Sequence, residues 1–147
     1  GVMSGVAALG VCFALAGLPS LPPLFVPVTE FTLAWTHSIE KVRWEEDYAV
    51  ESFNNKLGAR LVATQARIKG SAAGMEPPEK AVLHNGWYEY KPAKTYPSTL
   101  RLMRSKYVPD YRWCQKEQCL PLSAVMPSDG DVTLVYACTE HNTAQGE

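Results

Sequence analysis

The sequence predicts an all-β domain, an antiparallel sandwich or small barrel, preceded by one N-terminal apolar helix. Three features carry that reading. From Phe31 onward, apolar and polar residues alternate with a period close to two, as half-buried strands require. Turn formers punctuate the chain, with 11 prolines and 10 glycines beside 4 tryptophans and 7 tyrosines, the aromatic types that favour strands. No charged residue precedes Glu30, so all 14 basic and 15 acidic side chains lie from Glu30 onward. A chain of 147 residues fits one domain, and a net charge of -1 offers no basic face to a phosphate backbone, which excludes a nucleic-acid binder.

Gly1 to Leu18 is apolar or small throughout. As a helix this stretch would rise about 27 Å, close to a hydrocarbon core of roughly 30 Å. Pro19, Pro22 and Pro23 would stop it. A cleaved signal peptide is one reading, since Ala14-Leu15-Ala16 offers a small-x-small site cut before Gly17. An uncleaved anchor is the preferred one, because Ser4, Ala8, Cys12 and Ala16 recur every fourth residue and form a small face on which membrane helices pack. The expected organisation is therefore an anchor or signal with a Pro-rich linker over 1–28, an extracytoplasmic β domain over 29–141 and a tail over 142–147. The domain faces the periplasm or cell exterior, or is secreted to the periplasm if residues 1–16 are cleaved.

Strands follow in order. Phe31, Leu33 and Trp35 alternate with Thr32, Ala34 and Thr36. Trp44, Glu46, Tyr48 and Val50 share the next face, and Asn54-Asn55 marks a turn. Leu61 to Ile68 reads as the return strand and Gly70 to Pro78 as a loop. Further strands are expected at Ala81–Leu83, Trp87–Tyr90, Leu100–Arg104, Tyr111–Cys114, Cys119–Val125 and Val132–Cys138. The tryptophans fall at strand spacing with no basic stripe between them, which suits core packing better than base stacking.

Cys114 and Cys119 flank the polar loop Gln115-Lys116-Glu117-Gln118, so a hairpin closed by a Cys114–Cys119 disulfide is expected in an oxidising compartment. Cys138 is then left as a buried thiol. The rival pairing joins Cys138 to Cys114 or Cys119. No C-x-x-C, H-E-x-x-H or EF-hand spacing supports a metal among His37, Glu40, Glu45, Asp47 and His84, and no cofactor is expected.

Two polar stretches are the candidates for function. The first runs from His37 through Ser38, Glu40 and Lys41 to Glu45. A hydrolase would use Ser38 as nucleophile with His37 or Glu40 as base, but adjacent strand residues point to opposite faces and no G-x-S-x-G occurs. The second holds Arg67 and Lys69 before the small residues Gly70 and Gly74, where backbone N–H groups could converge on an anion. If these stretches lie together at one end of the domain, they form one partner or ligand surface.

The run Trp35-x-His37-Ser38-Ile39-Glu40-Lys41, followed by Trp44 and Glu45, resembles the HSVEK…E signature of the bacterial and archaeal domain of unknown function 1850. The Gly70–Pro77 loop is similar to that family's small-residue loop, with Ala73 in place of one glycine, and the positions of Trp113, Cys114, Cys119 and Cys138 are similar too. The resemblance spans Phe31 to Cys138. It implies no enzymatic activity. The family's members are often encoded beside TAXI-type TRAP transporters, which implies a non-enzymatic accessory subunit that meets the membrane through its N-terminal helix and binds the permease, with the TAXI-type substrate-binding protein as a further candidate partner. The alternatives are a periplasmic binder of small carboxylates or other anions through Arg67 and Lys69, and, less favoured, an unrecognised hydrolase.

Overall fold

The computed structural model describes residues 7–36, 41–53, 58–69, 80–92 and 99–145. In chain order the strands are β1 (Leu9–Leu15), β2 (Leu24–Val26), β3 (Glu30–Thr36), β4 (Arg43–Phe53), β5 (Gly58–Lys69), β6 (Val82–His84), β7 (Trp87–Tyr90), β8 (Leu100–Met103), β9 (Arg112–Gln115), β10 (Gln118–Pro121) and β11 (Val132–Thr139). They form a smaller sheet of order β2-β1-β11-β8 and a larger one of order β10-β9-β3-β4-β5-β7-β6. The described residues contain no α-helix, only a 3-10 turn at Leu122–Ala124, which begins where Pro121 ends β10 and so cuts short the strand expected to reach Val125.

Within the apolar N-terminal segment, Leu9–Leu15 forms a strand, β1, and not the expected helix. β1 lies between β2 and β11, paired from Leu9↔Thr139 to Leu15↔Thr133. Val11 and Phe13 face the core, Cys12 faces the other side of the sheet, and all three are 0% exposed. A strand buried on both faces loses its polar alternation and reads as an unbroken apolar run, which periodicity cannot tell from a helix. The small-residue spacing has other causes. Ala8 and Ala16 extend the pairing through their backbones, the Ala8 carbonyl accepting from Glu140 N–H and Ala16 N–H donating to the Val132 carbonyl. Cys12 sits in a disulfide. Ser4 lies outside the described residues. Gly10 is dictated by close approach, because a Cβ there would meet the Phe25 ring at 2.6 Å as well as the Val26 carbonyl oxygen. Among the described residues no helix is long and apolar enough to cross a membrane.

The core fills the space between the sheets. Phe31 stacks on Trp113 at 4.4 Å and on Tyr48 at 5.3 Å, and Phe13 meets the Trp113 ring edge-on at 5.2 Å. Aromatic pairs in these geometries add to the area they bury. The expected face Trp44-Glu46-Tyr48-Val50 is present on β4, with Tyr48 and Val50 buried. Between Asp47 and Tyr48 the β4–β5 register shifts: Tyr48 pairs with Ala63 but Asp47 with Gln65. The extra residue, Thr64, moves the buried set on β5 from Leu61 and Ala63 to Ala66 and Ile68. That phase change puts Arg67 on the same outer face as Glu45 and Asp47.

Two disulfides staple the sandwich. Cys114–Cys119 closes the β9–β10 hairpin, as its spacing predicts. Cys138 is not the buried free thiol expected, nor is it joined to Cys114 or Cys119; it pairs with Cys12 across β1 and β11. Reading Cys12 as a membrane-helix residue had removed it from the pairing. In the chain-entropy account, a cross-link over 126 residues of sequence stabilises far more than one over 5. Replacing Cys12 and Cys138 together by Ala is expected to cost about 5 kcal/mol, against about 2 kcal/mol for the Cys114/Cys119 pair. Urea denaturation midpoints of the two double variants compare them, and equal losses would contradict the assignment.

Candidate functional site

β4 and β5 bring the charged residues of the two candidate stretches into contact. Glu45 lies directly across from Arg67, and Asp47 across from Gln65. Arg67 Nε donates to Glu45 at 2.7 Å, and its two terminal nitrogens donate to the two oxygens of Asp47 at 2.9 Å each. Thr32, on β3, donates to Asp47 at 2.6 Å, and Arg43 Nε donates to the second oxygen of Glu45 at 2.9 Å. Bidentate guanidinium–carboxylate pairs are the geometrically strongest of their kind. The Arg67 pKa is raised, first by its hydrogen bonds to Asp47, against the opposing effect of burial, and then by Glu45. Arg67 is thus neutralised by two acids and is poorly placed to take an external anion.

The remaining candidates divide. Lys69 reaches the face of Trp87, with Nζ 5.2 Å from the ring centroid. Lys41 is exposed, at a left-handed φ of 60°. His37, Ser38, Glu40, Gly70 and Gly74 lie outside the described residues. The strand ends from which both stretches spring are nevertheless neighbours, because Thr36 pairs with Arg43 and Trp44 with Ile68.

The inner face at this end is aromatic. Trp35 stacks with Trp44 at 6.1 Å and leans on Tyr111 at 6.0 Å. Glu46 accepts the Tyr48 hydroxyl at 2.6 Å. Burial, then that hydrogen bond and the Glu46 charge, raises the Tyr48 pKa. Tyr90 and Tyr111 are raised by burial first, with Glu46 contributing to both. All three phenols therefore stay protonated at neutral pH.

Sequence reasoning missed a second ion pair. Arg104, at the end of β8 and with its side chain 1% exposed, donates to Asp110 through Nε at 3.0 Å and a terminal nitrogen at 2.9 Å, and to buried Thr133 at 3.2 Å. Asp110 also accepts the Tyr111 and Ser123 backbone N–H groups. Burial works to raise the Asp110 pKa, but the Arg104 hydrogen bonds and charge, with the two backbone donors, hold it below the usual carboxylate value. Pro109-Asp110 reads as an ordinary turn, and the partner arginine precedes the acid by six residues across a loop, so no local pattern announces the pair.

Among the described residues no three of His, Cys, Asp and Glu gather as metal ligands. His84 and His141 are exposed on the surface. Fold and site together define a disulfide-stapled β-sandwich whose strongest polar groups hold one another. Residues 31–122 match the family described as Domain of unknown function (DUF1850), and the chain belongs to that family. No curated protein and no solved structure matches it.

Two outcomes follow. In a double-mutant cycle of Arg67→Leu and Asp47→Asn read by urea unfolding, the coupling is expected at about 1 kcal/mol, as these side chains are 21% and 27% exposed; additive effects would show the pair to be uncoupled. Asp110, with its lowered folded pKa, contributes stability that is complete above the unfolded value of about 3.9 and is lost as pH falls through the folded value. Asp110→Asn is expected to cost about 3 kcal/mol at pH 7, since it strands the buried Arg104, and to flatten the acid limb of the stability curve measured by thermal unfolding from pH 7 to pH 2.

Proposed function

We propose that the protein is a non-enzymatic, extracytoplasmic accessory subunit of a TAXI-type TRAP transporter. The observation that carries this reading is the adjacency of the two motif-bearing strand ends at one end of the central strands of the larger sheet, in a sandwich held by two disulfides. Disulfides of this kind suit an oxidising compartment outside the cytoplasm. The transporter itself is suggested by the family resemblance. The contact proposed here uses the folded domain, in which Leu9–Leu15 of the apolar stretch forms β1. Exposed Lys41 and the Lys69–Trp87 pair stand at that end of the sheet, and cation and aromatic together suit a rim contact with an acidic partner.

Tagged full-length protein purified from native membranes in mild detergent should bring down the permease in fixed ratio, identified by mass spectrometry. Lys41→Glu combined with Lys69→Glu should weaken that recovery while leaving the melting temperature unchanged. Protein that emerges alone from intact membranes would sink the reading.

A further inference from the structure

β9 begins at Arg112 and pairs with β3 only over Thr32 to Ala34. β3 runs on to Trp35 and Thr36, while the opposing chain turns away at Pro109. The divergence opens a notch of about 290 Å³, near the lower end of small-ligand sites. Trp35 and Tyr111 form its aromatic wall, Arg43 and Arg112 supply guanidinium groups, and Asp110 and Pro121 are among the other lining residues.

The two arginines that line the notch are less occupied than the others of this face. Arg43 shares Glu45 with Arg67 through its Nε alone. Arg112 makes one bond at 3.3 Å, from a terminal nitrogen to the Cys119 carbonyl. The acid in the notch does not cancel them. Asp110 accepts two bonds from Arg104 and two from backbone N–H groups, which fills its four acceptor positions and neutralises its charge from behind. The result is a cavity with spare guanidinium N–H groups beside the half-buried rings of Trp35 and Tyr111. A guanidinium fork fits the plane of a carboxylate, and the rings of Trp35 and Tyr111 offer stacking area to a flat body attached to it. A compact inorganic anion would use only the first feature.

We infer that this notch binds a small free carboxylate carrying a flat or ring-shaped apolar group, with Arg112 and Arg43 holding the carboxylate and Trp35 and Tyr111 holding the ring.

Titration calorimetry on the full, oxidised chain tests this, with benzoate as probe and benzylammonium as the same ring with the charge reversed. Benzoate should bind saturably and benzylammonium should not. Arg112→Gln should weaken benzoate at least about tenfold, the loss expected when a charged hydrogen bond is removed, with an unchanged melting temperature. Arg43→Gln serves as the second variant and should also weaken it. Absence of benzoate binding, equal binding of benzylammonium, or wild-type affinity in both variants would overturn the inference. The calorimetry bears on the notch alone, and the co-purification above on the transporter reading alone.

Discussion

Pairing of β1 with β11 is the constraint on which the remaining architecture rests. It joins the first described strand to the last, gives the smaller sheet its two central strands, and places Val11, Phe13 and Val135 against the larger sheet. The contact of Phe13 with Trp113 then couples the sheets through the aromatic stack of Phe31 and Tyr48. Without β1, β11 would keep only β8 as a partner, and the stack would lose its cover on one side. The Cys12–Cys138 bridge secures the strand pairing whose contacts are the most distant in sequence, where closing the chain costs the most entropy.

The larger sheet has two faces of different chemistry, and a single bulge keeps them apart. Were β5 in unbroken register with β4, the residues flanking Thr64 would alternate in one phase, and Arg67 would turn toward the core with Leu61 and Ala63. A guanidinium there would be desolvated among aromatic rings at heavy cost. The bulge at Asp47/Tyr48 turns Ala66 and Ile68 inward and Arg67 outward, where Glu45 and Asp47 accept its hydrogen bonds and Thr32 donates to Asp47. Packing and electrostatics thus depend on the same inserted residue.

How much of this could be read from the sequence follows from where the physical information resides. Period-two alternation revealed β3, β4 and β5, because each has one buried and one more accessible face, whereas β7 is half-buried throughout and β11 has buried residues on both faces, so these two were legible only as strand formers between turns. It failed at β1, where Val11, Cys12 and Phe13 are buried on both sides and nothing polar marks the strand. That error carried over to Cys138, whose partner was counted as a membrane residue. The hairpin disulfide was legible because its geometry is local. Glu45 and Arg67 were legible as residue types in charged stretches, but their contact depends on register and on a bulge, which alternation does not report. Arg104 and Asp110 were invisible for the same reason, being joined across a loop whose course is set by the core.

The arginines of this domain form a graded series. Arg67 meets two carboxylates, Arg104 shares one carboxylate with two backbone donors, Arg43 holds part of an acid already claimed by Arg67, and Arg112 meets only a carbonyl. Compensation is most complete where strands are fully paired or buried, and it declines toward the point where β3 and β9 part. Cross-strand neighbours supply counter-charges only where they carry them: Arg112 lies between Ala34 and Pro121, and Arg43 opposite Thr36, none of which is charged. An aromatic wall stands at the same place, since Trp35 and Tyr111 flank the divergence on its two sides. Sparsely bonded guanidiniums and half-buried rings thus meet where the pairing of β3 with β9 ends.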